Sequence, residues 1–524
     1  MPGHVLLKLA LLALAGVWLA LDARIASKGD PGGPATRWGL GALAAANLGL
    51  VAFLWLDHVT FPLTLDVMEF EVLQHVHRLL QHQYIYARPA ADFVALAYNP
   101  LYYVFAVPFV RLFGENLFSL RLLAILATLA SMVLVFVVVR GRTRSAWWGL
   151  LGAGLFAAAY RAMDAYLDTA HCDPWLVLGA LLGTWVLERS RTQPGRLLGV
   201  TLLVAAFWFK QHGAMFALGG VVFLTMRDGW RRALPAWILM LVLGPVLYLA
   251  GGKVLFGPWF HFYTWQVPQM WSVYDFHGVL RLLGFAAGWY GVLALAAAWA
   301  FLVEARERGR NMSAWHFQLV PALLTGAMGA LDAGSSDNVF ISMGVWFVLV
   351  GTLGLATLAE NVARARAWRL DRAGLLLSFV LLAYNPLPMI VSPRAGAEYA
   401  DLIQVLKGLP GTVYAPWIGQ LPGDYRLWPA GHWVAIEDMV GVRGDPKSPL
   451  IREILEPAFD PGHPAWVLTN AHLKTYSSLA LLHDRYVLVE DFGGRFYGLR
   501  CLPRRWFHAW PRYLYRYVPP GGAG

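Results

Sequence analysis

Cysteine is almost missing from this chain, with Cys172 and Cys501 the two in 524 residues. They are too few and too far apart for a disulfide framework or a cysteine-based metal motif, and no redox chemistry is read from them. Charge is scarce too: 14% of residues are charged against 58% hydrophobic, which excludes an ordinary soluble protein and puts the chain in the membrane class. The net charge of +10 punctuates apolar segments and is not gathered on one basic face, so nucleic acid is not expected as a partner. Short-period repeats are absent, as are paired halves marked by matching broken helices, which weakens a transporter or flippase reading.

What the chain has in abundance is apolar runs. They lie near 5–21, 38–57, 117–139, 147–163, 174–188, 196–209, 212–226, 234–255, 279–303, 313–331, 339–359 and 373–391. That makes about twelve expected spans, against the roughly 20 residues a bilayer crossing needs. The first has one lysine, no clear small-residue cleavage site and a charged sequel, so it is read as a signal anchor. Every second connection is rich in arginine, as in Arg140, Arg142 and Arg144, or Arg364, Arg366, Arg369 and Arg372. By the positive-inside rule these loops are cytoplasmic, and the acidic, aromatic loops between them face outward. The alternation requires that residues 98–114 lie on or dip into the outer surface without crossing.

After Pro393 the pattern becomes that of a soluble domain. Strand-like "GTVYAP", "AWVLTN" and "YVLVEDF" are separated by helix-like "EYADLIQVLKGL" and "SPLIREILEPAF", which predicts a small α/β domain over 396–524 on the outer side of a membrane domain over 1–395. The basic, aromatic "RRWFHAWPRYLYRY" near its end suits a return to the anionic membrane surface.

Chemistry is sought in the outer loops. In the first, residues 58–116, Val67, Phe70, Leu73 or Val76, and Leu80 recur at helical spacing, predicting an amphipathic interfacial helix over 66–82 with its acids and histidines turned to water or headgroups. Asp66 and Glu69 have capping-box spacing; a carboxylate partly shielded at the membrane surface is equally suited to take a proton from a substrate hydroxyl. In "YRAMDAYLDTAHCDPW" Asp173 precedes a proline and suits a helix start. With Asp168 and His171 it also offers ligands for a hard divalent cation, Mg²⁺ or Mn²⁺, that the sequence does not require. Lys210 and Gln211, in "AAFWFKQHGAMF", sit where two short apolar runs meet near the outer face; Lys210 there is either a snorkelling residue or a partner for an anionic phosphate. Arg121 is a weaker candidate of the same kind. The outer turn "DAGSSDNVF" needs no function as a turn.

In order and spacing these features resemble the C-type (GT-C) integral membrane glycosyltransferase superfamily, in particular the bacterial group related to protein O-mannosyltransferases and aminoarabinose transferases. The resemblance covers roughly residues 38–391 and rests on "LLQHQYIY" from Leu79 to Tyr86, "YNP" from Tyr98 to Pro100, "LFGENLFSLR" ending at Arg121, "KQHG", and "SSDN". Counting back from Tyr86 puts the family's catalytic acid on Glu69, ahead of Asp66, although Phe70 follows where the family often has a second acid. The resemblance further implies Asp173, with Asp168, as the second-loop acid, Lys210 and Gln211 as the lysine–glutamine element, and Tyr98, Asp337 and Asn338 in the substrate cavity. It implies a polytopic α-helical fold with an outer-leaflet cavity, in the cytoplasmic (inner) membrane of a bacterium. The donor is expected to be a polyprenyl-phosphate-linked sugar, transferred with inversion to a lipid, glycan or protein acceptor among membrane lipids. A transporter and a polysaccharide ligase using a diphosphate-linked donor are the rivals.

Overall fold

The computed structural model describes residues 3–26, 34–90, 92–271, 276–332, 335–361, 370–418, 427, 431–440, 449–459, 463–502 and 509–519. Lys28, the arginines from Arg364 to Arg369 and Arg504 and Arg505 fall outside the described residues.

The helical part contains α1 (Gly3–Ala26), α2 (Pro34–Val59), α3 (Glu69–Leu80), α4 (Leu101–Phe113), α5 (Leu117–Thr143), α6 (Ala146–Ala158), α7 (Asp173–Arg189), α8 (Gln193–Phe209), α9 (Gly213–Asp228) and α10 (Trp230–Leu241). It continues with α11 (Phe276–Arg308), α12 (Leu319–Ala330), α13 (Ile341–Asn361) and α14 (Leu370–Leu382). Five helices among the described residues are long and apolar enough to cross a membrane: 36–59, 117–143, 230–256, 276–311 and 337–359. The other expected spans are helical too: the first lies on α1, 24 residues long, and others are shorter, such as the 13 residues of α6 and the 12 of α12. At about 1.5 Å per residue the shorter ones fall below the roughly 30 Å apolar core; among the described residues, five of the about twelve expected spans coincide with helices that meet both length and apolarity. The stretch 98–114 forms α4, 13 residues with Pro108 inside, also too short to cross.

Of these five, the span 337–359 is the one whose apolar stretch is wholly buried within the protein. Around it, helices approach closely where side chains are smallest. A Cβ on Gly183 would lie 2.9 Å from the Gly199 carbonyl oxygen, the small-residue contact expected where lipid supplies no hydrophobic drive between helices. One end of the bundle gathers arginines with acids: Arg142 at the end of α5 reaches Glu188 at the end of α7 (3.1 Å) and Glu304 near the end of α11 (3.6 Å). The opposite ends of α5 and α7 carry Arg121 and Asp173, so the candidate site and the arginine-rich loops lie at different ends.

Helix α3 does not lie open to water or headgroups as expected. Glu69 to Val76 are all buried, and His77 and His82 are the histidines left toward the surface. Burial holds Glu71 well above the ordinary carboxylate range and His75 down at about 3, each shift favouring the uncharged form of the group that α3 carries into the core. The reason is tertiary: α4, α5 and the second outer loop cover one side, while the segment around His432 covers the turn before it.

The C-terminal region holds α15 (Ala395–Gly408), α16 (Trp433–Val440), α17 (Pro449–Phe459) and the strands β1 (Val413–Tyr414), β2 (Trp466–Thr469), β3 (Tyr486–Asp491) and β4 (Tyr513–Tyr517). The sheet order is β1-β2-β4-β3, with β1 and β2 parallel and the other pairs antiparallel. The first three strands and two of the helices lie on the expected segments. The alternating aromatics of 513–517, at the end of the basic segment, form the interior strand β4, where β-formers at period two pair with β2 and β3. Helix α16 was not anticipated.

Candidate active site

Residues from distant parts of the chain enclose a cavity of 1470 Å³. Its wall includes Asp66 and Met68 from the turn before α3, Tyr98, Tyr166, the Lys210–His212 turn, Tyr248, Thr264, Trp265, Trp271, Asp332, Asn338, and Val434, Glu437 and Asp438 from α16.

Lys210 owes its place to a tight reversal. Helix α8 ends at Phe209 and α9 begins at Gly213, where a Cβ would stand 2.3 Å from backbone atoms of Ala206 and Phe207. Only glycine permits this closeness. The reversal directs the Lys210 ammonium to Asp173, at 2.8 and 3.0 Å from its two carboxylate oxygens. Asp173 also lies 2.5 Å from His171 Nδ1 and accepts from the Asn338 amide at 3.3 Å. Lys210 further stands 5.3 Å over the Tyr98 ring. The loops bearing Tyr98, His171–Asp173, Lys210 and Asn338 therefore meet, while Asp337 turns aside to within 3.6 Å of Arg281.

Asp66 and Glu69, three residues apart, have different surroundings. Asp66 lines the cavity; its Oδ1 accepts from the Tyr166 hydroxyl at 3.0 Å and its Oδ2 from the Met68 amide at 3.3 Å. Glu69 is absent from the wall and 1% exposed. Its carboxylate accepts from Arg121 Nε and Nη2 (3.0 and 2.7 Å) and from the backbone amides of Ala170 (2.9 Å) and Leu65 (2.7 Å). With four donors in place, its acceptor sites are filled. Glu69 does reach back toward the chain before the helix, as a capping box predicts, but to Leu65.

Arg121 is equally committed. Its remaining N–H groups donate to the carbonyls of His58, Phe61 and Leu63, so all five guanidinium protons are used inside the protein and none points to a ligand. Gln211 touches the cavity, but its amide nitrogen donates to the carbonyls of Ala97 (2.8 Å) and Thr264 (3.1 Å), clamping two loops. Asp168 is held 2.6 Å from His58 Nδ1 and accepts from Tyr160 at 2.7 Å. Among the described residues the one metal-like grouping is His171, Cys172 and Asp173; Asp168 and the first-loop acids are not part of it. A thiol, an imidazole and one carboxylate already holding an ammonium suit a hard Mg²⁺ or Mn²⁺ poorly.

Sequence reasoning missed Tyr166, Tyr248, Thr264 and the α16 acids. Tyr166 stood inside a quoted loop but carried no spacing signal. Glu437 and Asp438 had none at all, since their side of a short helix 370 residues from Asp66 becomes cavity wall only on folding. Burial beside Glu437 pushes the Asp438 carboxyl up to about 7.

Residues 98–256 match the family model of dolichyl-phosphate-mannose-protein mannosyltransferases. Over 219 residues the chain is 27% identical to an undecaprenyl phosphate-alpha-4-amino-4-deoxy-L-arabinose arabinosyl transferase of Pseudomonas aeruginosa, covering 39% of this chain and 38% of the relative. The chain thus matches under two fifths of the length of that relative. Two crystal structures of ArnT from Cupriavidus metallidurans share the fold at 14% identity. The one bound to undecaprenyl phosphate superposes over 92% of this chain and 98% of its own (TM-score 0.52), the apo form over 90% and 97% (TM-score 0.54).

Proposed function

On the premise that the chain belongs to the C-type glycosyltransferase superfamily, whose fold it has and whose mannosyltransferase model it matches in part, we propose that it is an inverting glycosyltransferase. It takes a monosaccharide from a polyprenyl-phosphate donor and passes it to a hydroxyl acceptor. The observation that carries this is one cavity wall holding both a carboxylate, Asp66, and an ammonium, Lys210. A base and a phosphate partner are the two groups that a displacement at a glycosyl phosphate requires.

Asp66 takes the acceptor hydroxyl proton, the acceptor oxygen forms its bond to the anomeric carbon, and the bond from that carbon to the phosphate oxygen breaks. Polyprenyl phosphate departs with the electron pair against Lys210. A single displacement inverts the anomeric configuration. Asp66 takes the role of base ahead of Glu69 because its carboxylate faces the cavity, whereas that of Glu69 is saturated by Arg121 and two amides. Tyr166 orients Asp66, and Asp173, which accepts from Asn338, holds Lys210. The arginine-rich end of the bundle, by the positive-inside rule, is cytoplasmic. The cavity and the C-terminal sheet then face the outside of a bacterial cytoplasmic membrane.

The test is transfer of radiolabelled sugar from a panel of synthetic polyprenyl-phosphate monosaccharides by the purified chain in nanodiscs, with membrane extract as acceptor source. Label reaching an acceptor with the wild type and not with Asp66→Asn supports the function. No transfer from any monophosphate donor by folded protein rejects it.

A further inference from the structure

The cavity wall is chemically lopsided. Among the described residues it carries four carboxylates, Asp66, Asp332, Glu437 and Asp438, against one permanently charged cation, Lys210, and that ammonium is already held by Asp173. Once a donor phosphate is seated against Lys210, the described residues of the wall offer no second permanently charged cation to another anion. An acceptor presenting a phosphate beside its reacting hydroxyl would be repelled by like charge.

Two of the four acids come from α16 in the C-terminal region, and this helix is fixed firmly enough to be part of the site. Trp271, itself in the cavity wall, donates its indole N–H to the Asp438 carbonyl at 2.8 Å. Ser478 donates its hydroxyl to Glu437 Oε1 at 2.6 Å, fixing that side chain from the sheet side. His432, just before the helix, is pinned by the Trp417 carbonyl at 2.7 Å and by the Val434 amide at 3.2 Å. The Asp438 carboxylate, by contrast, has no hydrogen-bond or ion-pair partner among the described residues and borders the cavity. Trp265 and Trp271 stand in the same wall. One fixed carboxylate acceptor, Glu437, and one open one, Asp438, in a wall that also holds two indoles suit a ligand with adjacent hydroxyls and apolar C–H faces, which is the surface of a sugar ring.

We propose that α16 is the acceptor subsite, in which Glu437 and Asp438 accept hydrogen bonds from neighbouring hydroxyls of a carbohydrate, and that the acceptor is a glycan hydroxyl with no phosphate adjacent to it. This rests on the glycosyltransferase function above. The bond made is a glycoside: the anomeric carbon leaves the phosphate oxygen for the glycan oxygen, whose proton goes to Asp66.

The experiment uses the full chain in nanodiscs with labelled polyprenyl-phosphate sugar and a glycan-containing membrane extract, and reads two things. The first is the linkage formed. A glycoside to a glycan resists both the mild acid that cleaves glycosyl phosphates and the alkali that releases sugars from serine or threonine. Product lost in either treatment overturns the proposal. The second is the kinetics of the isosteric variants Glu437→Gln and Asp438→Asn, with undecaprenyl phosphate binding and thermal melting measured alongside. Weakening a charge-assisted hydrogen bond should raise acceptor KM by about tenfold or more, while kcat falls far less and undecaprenyl phosphate binding holds. Unchanged KM in both variants, or a joint loss of donor binding and melting temperature, also overturns it. If the wild type transfers no label yet still binds undecaprenyl phosphate, the transferase function itself has failed, an outcome distinct from transfer with the wrong linkage.

Discussion

Glu69 and Arg121, 52 positions apart, form a two-point ion pair at 3.0 and 2.7 Å with both side chains out of contact with solvent. Around them close the carbonyls of residues 58, 61 and 63, the amide of Leu65 and the amide of Ala170. The pair therefore ties α3, α5 and both outer loops into one frame, with Asp66 on its edge.

Breaking that frame should cost stability. Removing one member of a buried, hydrogen-bonded ion pair typically costs about 3–5 kcal/mol, so Glu69→Gln and Arg121→Met are expected to lower the melting temperature in detergent markedly. Glu69→Gln melting like wild type while losing all transfer would instead make Glu69 the base.

Asp66→Asn should behave oppositely. The melting temperature and undecaprenyl phosphate affinity are expected to hold while kcat drops by about a hundredfold or more, as for loss of a general base. Tyr166→Phe removes the hydroxyl that orients Asp66, and a milder kcat loss with little change in either KM is expected. Steady-state transfer kinetics with donor and acceptor varied separately check both.

Lys210→Met removes the ammonium and leaves Asp173 buried without it. Hydrogen bonds to charged groups are worth about 1.5–3 kcal/mol, which corresponds to roughly a ten- to hundredfold loss of undecaprenyl phosphate affinity. Titration calorimetry in nanodiscs reads this directly, and unaltered affinity would leave Lys210 a structural partner of Asp173 alone.

Acceptor use should depend on pH through Asp438. Its carboxyl titrates at about 7, raised by burial and by Glu437 beside it, with the Tyr98 phenol also within its field. Above that pH the group is an anionic hydrogen-bond acceptor; below it the proton weakens this role. Acceptor KM is thus expected to rise as pH falls from about 8 to about 6, and to lose this dependence in Asp438→Asn. A profile identical in the variant would assign the titration to another group.

Chelation should leave transfer intact. Asp173 is taken up by His171 and the Lys210 ammonium, and Asp168 by His58 and Tyr160, so these two second-loop acids are not left as a pair to hold a hard ion. Full activity after EDTA treatment is the expected result. Activity abolished by EDTA and restored by Mg²⁺ or Mn²⁺ would return the second-loop acids to a metal role.

The apolar runs, the three C-terminal strand segments and the "KQHG" reversal were legible in the sequence because each is a local matter. Periodicity, turn residues and a glycine at a tight contact express themselves within a few positions. The strand over 513–517 was legible too, in its alternating aromatics, but its basic neighbours suggested a membrane surface. What no spacing could decide was the fate of each charge. Asp66 and Glu69 look alike as a capping pair, yet Arg121 and two loop amides claim one while the other borders a cavity. Nothing near Asp438 marks it as part of the same wall. A carboxylate's role depends on which distant donors desolvate or neutralise it, and only the tertiary structure brings those donors to it.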